Sequence, residues 1–477
     1  VPYKPKHYFP ISLGGYEAGD FTLLFGNPGS TREYLPSFAM DLIALKENPV
    51  KIGLRQKRLD IICNAMDTSR LVRIQYASKH AGISNYWKKM IGETRGITRA
   101  DGVTRKQEFE TSFQDWANFH RNGQRDFSGI LPMFESLYNE LYPIDMAYTY
   151  LREAGMAPEI FRLPLSSENL IGQAGDKEIS DEKIDEDVSG LMLSAHGFYK
   201  NYQPLIDQKI TVEMLKEMQD HMDKNYLPDI FKLIGKKYHG DVQAYVENLF
   251  ATSLFTDSTR LYDFLTNFKR KSARKISADP AYLLAQSIME RYQEDILPVI
   301  REITSGIDSL QRIYMLALME MQPDRKFYPD ANSTMRVCYG QVDGFEPANG
   351  VSYNYYTTTQ GILEKEDSTI YDYTVDQRLK ELIGSADYGR YADDDGTLHV
   401  AFISTIHSTG GNSGAPVLNG DGELIGINFD RNWEGTMSDL MYDPDQCRNI
   451  ILDIRYLLFI IDKYAGAGWL TEEMDIR

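Results

Sequence analysis

Thr409-Gly410-Gly411-Asn412-Ser413-Gly414-Ala415-Pro416-Val417 is the stretch on which the reading of the fold turns. An apolar run, Leu398–Thr405, leads into it. Ala415–Leu418 and Glu423–Phe429 follow as two short strands joined by Asn419-Gly420-Asp421-Gly422. Asn, Asp and Gly tolerate positive φ, so that joint reads as a tight hairpin. A serine on such a loop is a candidate nucleophile. Its hydroxyl needs a base beside it, and the oxyanion formed on attack needs donors aimed at it. Gly411 stands two residues before Ser413, where only glycine turns without a Cβ clash. The N–H groups of Gly411 and Ser413 can then face one point. Gly414 lets substrate backbone approach, and Pro416 closes the loop. Gly-x-Ser-Gly alone also occurs in ordinary glycine-rich turns; the flanking Gly410, Pro416, strand and hairpin make the nucleophile reading specific. Gly-Asn-Ser-Gly is not Gly-x-Ser-x-Gly, which sets aside an α/β-hydrolase elbow.

Outward from this loop, Met335–Gln341 and Val351–Thr358 are further strand candidates, and the chain closes with an apolar helix expected over Ile450–Tyr464. Between Leu35 and Gln322 the period changes. Ile296, Ile300, Ile303, Ile307, Leu310 and Tyr314 recur at three- and four-residue spacing, as do Val212, Leu215 and Met218, which predicts helices. Residues 1–35 return to β, with Phe21–Gly26 bounded by Gly19-Asp20 and Asn27-Pro28-Gly29. The expected layout is α+β: a β portion over 1–35, a helical domain over 36–325, and a β-rich part with a terminal helix over 326–477. Val1-Pro2-Tyr3-Lys4-Pro5 has neither an initiator Met nor a targeting segment and reads as a processed or truncated start.

The 477 residues amount to about three domains by length. With 42% hydrophobic and 12% aromatic residues the chain is globular. The net charge of −18 argues against nucleic acid and anionic membranes. The apolar run Tyr456–Ile461 is flanked by charges and far shorter than the roughly 20 residues of a membrane span, so it reads as a buried helix. Cys63, Cys338 and Cys447 fit no metal spacing and read as free buried thiols. Asp176–Asp187 holds seven acids and two lysines and reads as a solvated face rather than a cation site. No metal or other cofactor is implied.

A base for Ser413 is harder to find. His7 with Asp20 is the upstream pair on a β segment, but too close together for two strands of one barrel. His407 shares the serine's loop and reads as a packing residue; His399, on an apolar strand, reads as structural. His80, His120, His196, His221 and His239 fall in the helical block without neighbours that suggest a base.

The serine loop resembles those of chymotrypsin-fold peptidases, whose triad runs in the order His, Asp, Ser. A closer resemblance rests on Gly14-Gly15-Tyr16, Gly19-Asp20-Phe21, Phe25-Gly26-Asn27-Pro28-Gly29-Ser30-Thr31, Ile83-Ser84-Asn85-Tyr86-Trp87-Lys88 and Gly411 to Trp433. Together they are similar to the bacterial dipeptidyl-peptidase 7 and 11 family of serine exopeptidases. That resemblance implies a chymotrypsin-like double β-barrel with a large inserted all-α domain capping the cleft. Here the C-terminal part is present and the first barrel incomplete, and the family's catalytic His and Asp lie before Val1. It further implies export to the periplasm or cell surface, a homodimer, and peptide substrates with a free N-terminus.

Carried over by position, the resemblance puts Ser413 at the nucleophile and Gly411 with the Ser413 N–H at the oxyanion hole. Asn85 and Asp430 fall where the substrate's α-ammonium is held. Arg431, 18 residues past Ser413, falls in the pocket for the residue before the scissile bond. Spacing alone leaves Arg431 open between that role and a surface cation paired with Asp430 or Glu434. Arginine there resembles the type that cleaves after Asp or Glu, and its fork suits a carboxylate. Adjacent strand residues face opposite ways, so Asp430 and Arg431 can share a cleft only if the strand bulges or ends there. The expected activity is release of N-terminal dipeptides ending in Asp or Glu. The alternatives are a glutamyl endopeptidase and an inactive fragment that only binds acidic peptides.

Overall fold

A computed structural model describes residues 5–119 and 125–477. The segment Val1–Lys4 and His120 lie outside the described residues. The chain forms two compact units: residues 1–35, 92–103 and 324–477 make the first, and 36–91 with 104–323 the second.

The first unit is built on nine strands: β1 (Phe21–Gly26), β2 (Arg336–Gln341), β3 (Phe345–Ala348), β4 (Val351–Tyr353), β5 (Tyr356–Thr358), β6 (His399–Ser404), β7 (Pro416–Leu418), β8 (Leu424–Arg431) and β9 (Asn449–Asp453). One sheet runs β2-β1-β7-β8-β9-β6-β5, all antiparallel, and β3–β4 is a separate hairpin. The ends of six strands meet. Val342, just past β2, bridges Ser404 of β6, and Thr405 N–H donates to Gln341 O at 2.9 Å. Gly340 permits this, because a Cβ there would stand 2.7 Å from the Ile406 nitrogen. The ring encloses Leu24, Phe402, Ile406, Val417, Ile425 and Ile451. The inward residues of β1 alternate Thr22, Leu24, Gly26, the period of two that a strand with one buried face requires.

Two expectations are corrected. Val351–Thr358 is not one strand. The chain changes partner at Asn354-Tyr355, β4 pairing with β3 and β5 with β6. Ile450–Tyr464 is not helical throughout. Asn449–Asp453 is β9, between β8 and β6, and only from Ile454 does a helix run to Phe459, with a π turn to Tyr464. A short apolar run fits a buried strand or helix equally well, and here pairing on both edges decides. Asp453 then ends the strand and caps the helix, accepting from Arg455 N–H at 2.7 Å. β8 runs to Arg431, past the expected Phe429.

The second unit is helical. Its core includes Leu54, Met214, Leu215, Met218, Val246, Leu249 and Ile288. The helix Leu297–Met321 buries Ile303, Ile307, Leu310 and Tyr314 along one stripe. A π turn over Arg291–Ile296 precedes it, where Pro298 has no N–H to give the ladder. The acidic stretch 176–187 opens the helix Asp181–Tyr199, capped by Ser180, and Arg270 binds Asp181 at 2.7 Å. The helix Arg70–Arg99 carries residues of both units. Its Gly92 and Gly96, one turn apart, leave room for Thr436 and Met437 of the first unit. A Cβ at Gly92 would stand 2.2 Å from Thr436 Oγ1, and one at Gly96 2.8 Å from Met437 Sδ.

Candidate active site

Two glycine-rich loops of the first unit interlock. Gly29 N–H, in the segment after β1, donates to Gly410 O at 2.7 Å. Gly411 has φ +106, and a Cβ there would lie 2.4 Å from Asn27 O and 2.9 Å from Gly29 N. Gly411 is glycine on both counts: only glycine takes that φ freely, and no side chain fits. Asn412 turns inward, fully buried, and its Nδ2 donates to Ser408 Oγ at 3.2 Å. A Cβ at Gly26 would meet Asn412 Oδ1 at 2.2 Å. Gly26, Gly29 and Gly411 are thus three faces of one close contact.

This contact leaves Ser413 exposed. Its Oγ donates to Phe429 O at 3.3 Å, and no histidine among the described residues bonds it. His407 Nδ1 lies 3.1 Å from Glu33 Oε1, and its Nε2 donates to Ser438 O at 3.0 Å. His399 is buried, stacked on Tyr356 at 3.8 Å and bound to Arg455 and Asp393. His7 and Asp20 are both exposed, with no bond between them. No set of three or more His, Cys, Asp or Glu side chains among the described residues is arranged to hold a metal.

Behind Ser413 runs a ladder of buried amides that the sequence did not reveal. Asn428 Nδ2 donates to Asn412 O at 3.2 Å, Asn449 Nδ2 donates to Asn428 Oδ1 at 2.8 Å, and Gly414 N–H donates to Asn428 O at 2.8 Å.

β8 changes register one residue later. Asn428 pairs with Ile451 and Asp430 with Ile450, so Phe429 is an extra residue. Such a bulge breaks the alternation of side chains, and the strand ends at Arg431. Asp430 is exposed; its Oδ1 accepts from Arg431 N–H.

The Arg431 guanidinium has neither of the surface partners considered from spacing. Nη1 donates to Ser438 Oγ at 2.8 Å and Asp439 Oδ1 at 2.6 Å, and Nη2 to Asp439 Oδ2 at 2.9 Å. The arginine and carboxylate side chains are 13% and 11% exposed. Burial alone would lower the Arg431 pKa; the bond and charge of Asp439 outweigh it, and the net direction is upward. The guanidinium has five N–H donors, and Nε with one N–H of Nη2 has no partner among the described residues. Ser438 and Asp439 sit on the 3-10 turn Glu434–Asp439, which packs on Gly92 and Gly96. Only a hydrophilic pair seven and eight residues past Arg431 hinted at this clamp.

Asn85 is exposed on the helix Arg70–Arg99, within the second unit. The three cysteines are free, but only Cys447 is buried. Burial holds its thiol up at about 11. Cys63 and Cys338 are half-buried, which corrects the expectation for those two.

Comparison with known proteins places this geometry in a family. A model of the peptidase S46 family matches residues 1–476, and the chain belongs to that family. It is 37% identical over 484 residues to the Asp/Glu-specific dipeptidyl-peptidase of Flavobacterium psychrophilum, covering 100% of this chain and 66% of the relative. It is also 37% identical over 478 residues to dipeptidyl-peptidase 7 of Porphyromonas endodontalis, covering 57% of that protein. The crystal structure of Porphyromonas endodontalis DPP11 in complex with the dipeptide Arg-Glu has a TM-score of 0.91 at 31% identity, covering 100% of this chain and 67% of that one. The chain spans 66% of the Flavobacterium relative, a little under two thirds of its length.

Proposed function

We propose that this chain carries the nucleophile and specificity half of a serine dipeptidyl peptidase that releases N-terminal dipeptides ending in Asp or Glu. The observation that carries the reading is an exposed Ser413 two residues past Gly411, which has no room for a side chain, in a chain of the peptidase S46 family. Ser413 Oγ attacks the scissile carbonyl, and the Gly411 and Ser413 N–H groups receive the oxyanion. By resemblance, a His and an Asp that lie before Val1 supply the base and its orienter. They would sit in a first barrel that completes the double-barrel fold, with the helical residues 36–325 as the inserted domain.

Identity does not choose between the two specificities, because relatives of both names match at 37%. Arg431 does choose. Its bond to Asp439 leaves the cation in place with two donors open, and a substrate Asp or Glu offers two oxygens. An apolar residue there would leave those donors unpaired. Asp430 takes the substrate's free ammonium, which makes the enzyme an exopeptidase. No helix among the described residues is long and apolar enough to cross a membrane. By resemblance the enzyme works as a homodimer in the bacterial periplasm or at the cell surface.

The test is an assay of the enzyme on peptides with free and with blocked N-termini and Asp, Glu or Leu second. The expected result is release of Xaa-Asp and Xaa-Glu from free termini only. Ser413→Ala should lower the rate by roughly 10⁴-fold or more and remove fluorophosphonate labelling. Equal cleavage of blocked peptides would replace the exopeptidase by an endopeptidase.

A further inference from the structure

Behind the proposed oxyanion site, two peptide groups are each held by the end that faces away from substrate. In a trans peptide the carbonyl and the following N–H point in opposite directions across one rigid plane. No described peptide bond is cis. Fixing the carbonyl of residue 410 therefore fixes the direction of the Gly411 N–H, and fixing that of residue 412 fixes the Ser413 N–H. Both carbonyls are fixed. Gly410 O accepts from Gly29 N–H at 2.7 Å. Asn412 O accepts from Ala415 N–H at 3.0 Å and from Asn428 Nδ2 at 3.2 Å. The Gly411 and Ser413 N–H groups themselves have no acceptor among the described residues.

We infer that Gly29 and Asn428 are positioning residues that aim the two oxyanion amides by anchoring the far ends of their peptide planes. The inference deepens the peptidase reading above and rests on it. Gly29 acts by lacking a side chain: its φ is not in the left-handed region, yet a Cβ would stand 2.8 Å from Gly410 O. Alanine there suits the backbone and pushes only the Gly410–Gly411 peptide. Asn428 is 2% exposed and is held in turn. Its Oδ1 accepts from Asn449, its N–H donates to Ala415 O at 2.9 Å, and its own carbonyl accepts from Gly414 N–H. It grips the loop on both sides of Ser413 and touches no substrate. Preorganised donors work because they need no reorientation as charge develops. Loosening either plane therefore weakens the transition state while leaving substrate recognition at Arg431 and Asp430 as it was.

The experiment compares Asn428→Leu and Gly29→Ala with the parent in the active peptidase. Three quantities are read: kcat and KM on a dipeptidyl substrate, affinity for a dipeptidyl aldehyde, and affinity for the product dipeptide. The aldehyde forms a hemiacetal with Ser413 whose oxygen needs the two amides; the product does not. Losing a whole oxyanion donor costs about 10²–10³-fold in kcat, so misaiming one should cost about 10–100-fold, with KM within about twofold. Aldehyde affinity should fall by the same factor as kcat, and product affinity should not change. Aldehyde affinity at the parent level in both variants would overturn the inference, as would loss of product binding in step with aldehyde binding. If Asn428→Leu does not fold, Gly29→Ala decides, since it leaves every buried side chain in place. A parent that neither releases dipeptides nor binds the aldehyde sinks the peptidase reading itself. A parent that does both, matched by both variants, sinks only the anchoring role.

Discussion

Arg431 and Arg455 are both buried in the first unit and both bound to carboxylates, yet Arg431 keeps one whole edge of its fork to spare. Arg455 and Asp453 are 3% and 1% exposed. Nε and Nη2 of Arg455 donate to Asp453, Nη1 to Asp393 at 2.7 Å, and Nη2 also meets His399 Nδ1 at 3.3 Å. Tyr16 donates to Asp453 at 2.8 Å and lies under the guanidinium. Gly15 must be glycine there, with φ +72 and a Cβ that would stand 2.8 Å from Nη1. Four of the five Arg455 N–H donors have partners among the described residues, two carboxylates among them, and this arginine belongs to the scaffold. Arg431 has one carboxylate and two free donors beside the serine loop. Burial and ion pairing therefore do not separate a structural arginine from one proposed for recognition. Two open donors on one edge of the fork, beside a single carboxylate, do.

Four changes would break or sharpen this contrast. The largest is Arg455→Leu, which leaves Asp453 and Asp393 facing each other without their cation. Breaking a buried pair from one side costs about 3–5 kcal/mol, so urea unfolding should show a loss of that size or no folded protein. A variant as stable as the parent would show that the cluster is dispensable. Next is Arg431→Gly, which should lower kcat/KM on Asp and Glu substrates by about 10²–10³-fold and raise it on apolar ones. It should destabilise less than Arg455→Leu, because Asp439 keeps partial access to water. Unchanged acidic preference would remove Arg431 from the pocket.

Arg431→Lys should fall between: charge is kept, the fork is lost, and activity on acidic substrates drops by about tenfold with the preference intact. The smallest effect belongs to His399. Burial first, and the charge of Arg455, hold its pKa below 6.5 against the pull of Asp393. The folded protein keeps it neutral where the unfolded chain takes up a proton. Stability is thus full above pH of about 6.5 and is lost as pH falls below it. Thermal unfolding between about pH 7.5 and 5.5 should show the decline, and His399→Phe, which stacks but cannot titrate, should flatten it.

What was legible in the sequence follows from what was local. Phe21–Gly26 is a strand over the expected residues because turn pairs bound it on both sides. The motifs Gly14-Gly15-Tyr16 and Gly26-Asn27-Pro28-Gly29 stand out because Gly15, Gly26 and Gly29 are each pressed against a remote group: Arg455, Asn412 and Gly410 respectively. The illegible parts depend on partners far away in the chain. β9 was read as helix because its apolar run acquires strand character only between β8 and β6. Asp439 could not be assigned to Arg431, since a 3-10 turn packed on Gly92 and Gly96 brings it there. Asn428 looked like one more strand residue until its side chain met Asn412 O. The requirement that the strand bulge or end near residues 430 and 431 came from alternation alone, and the register shift lies at Phe429.

That register shift divides labour along β8. Up to Asn428 the strand serves the barrel core and the serine loop; beyond Phe429 it rejoins β9 at Ile450 and Asn449 with its phase reset. Residues 430 and 431 therefore lie past the register that shapes the serine loop. If Arg431 selects the substrate as proposed, a single substitution at that tip would change which peptides are taken while leaving the serine loop behind it as it is.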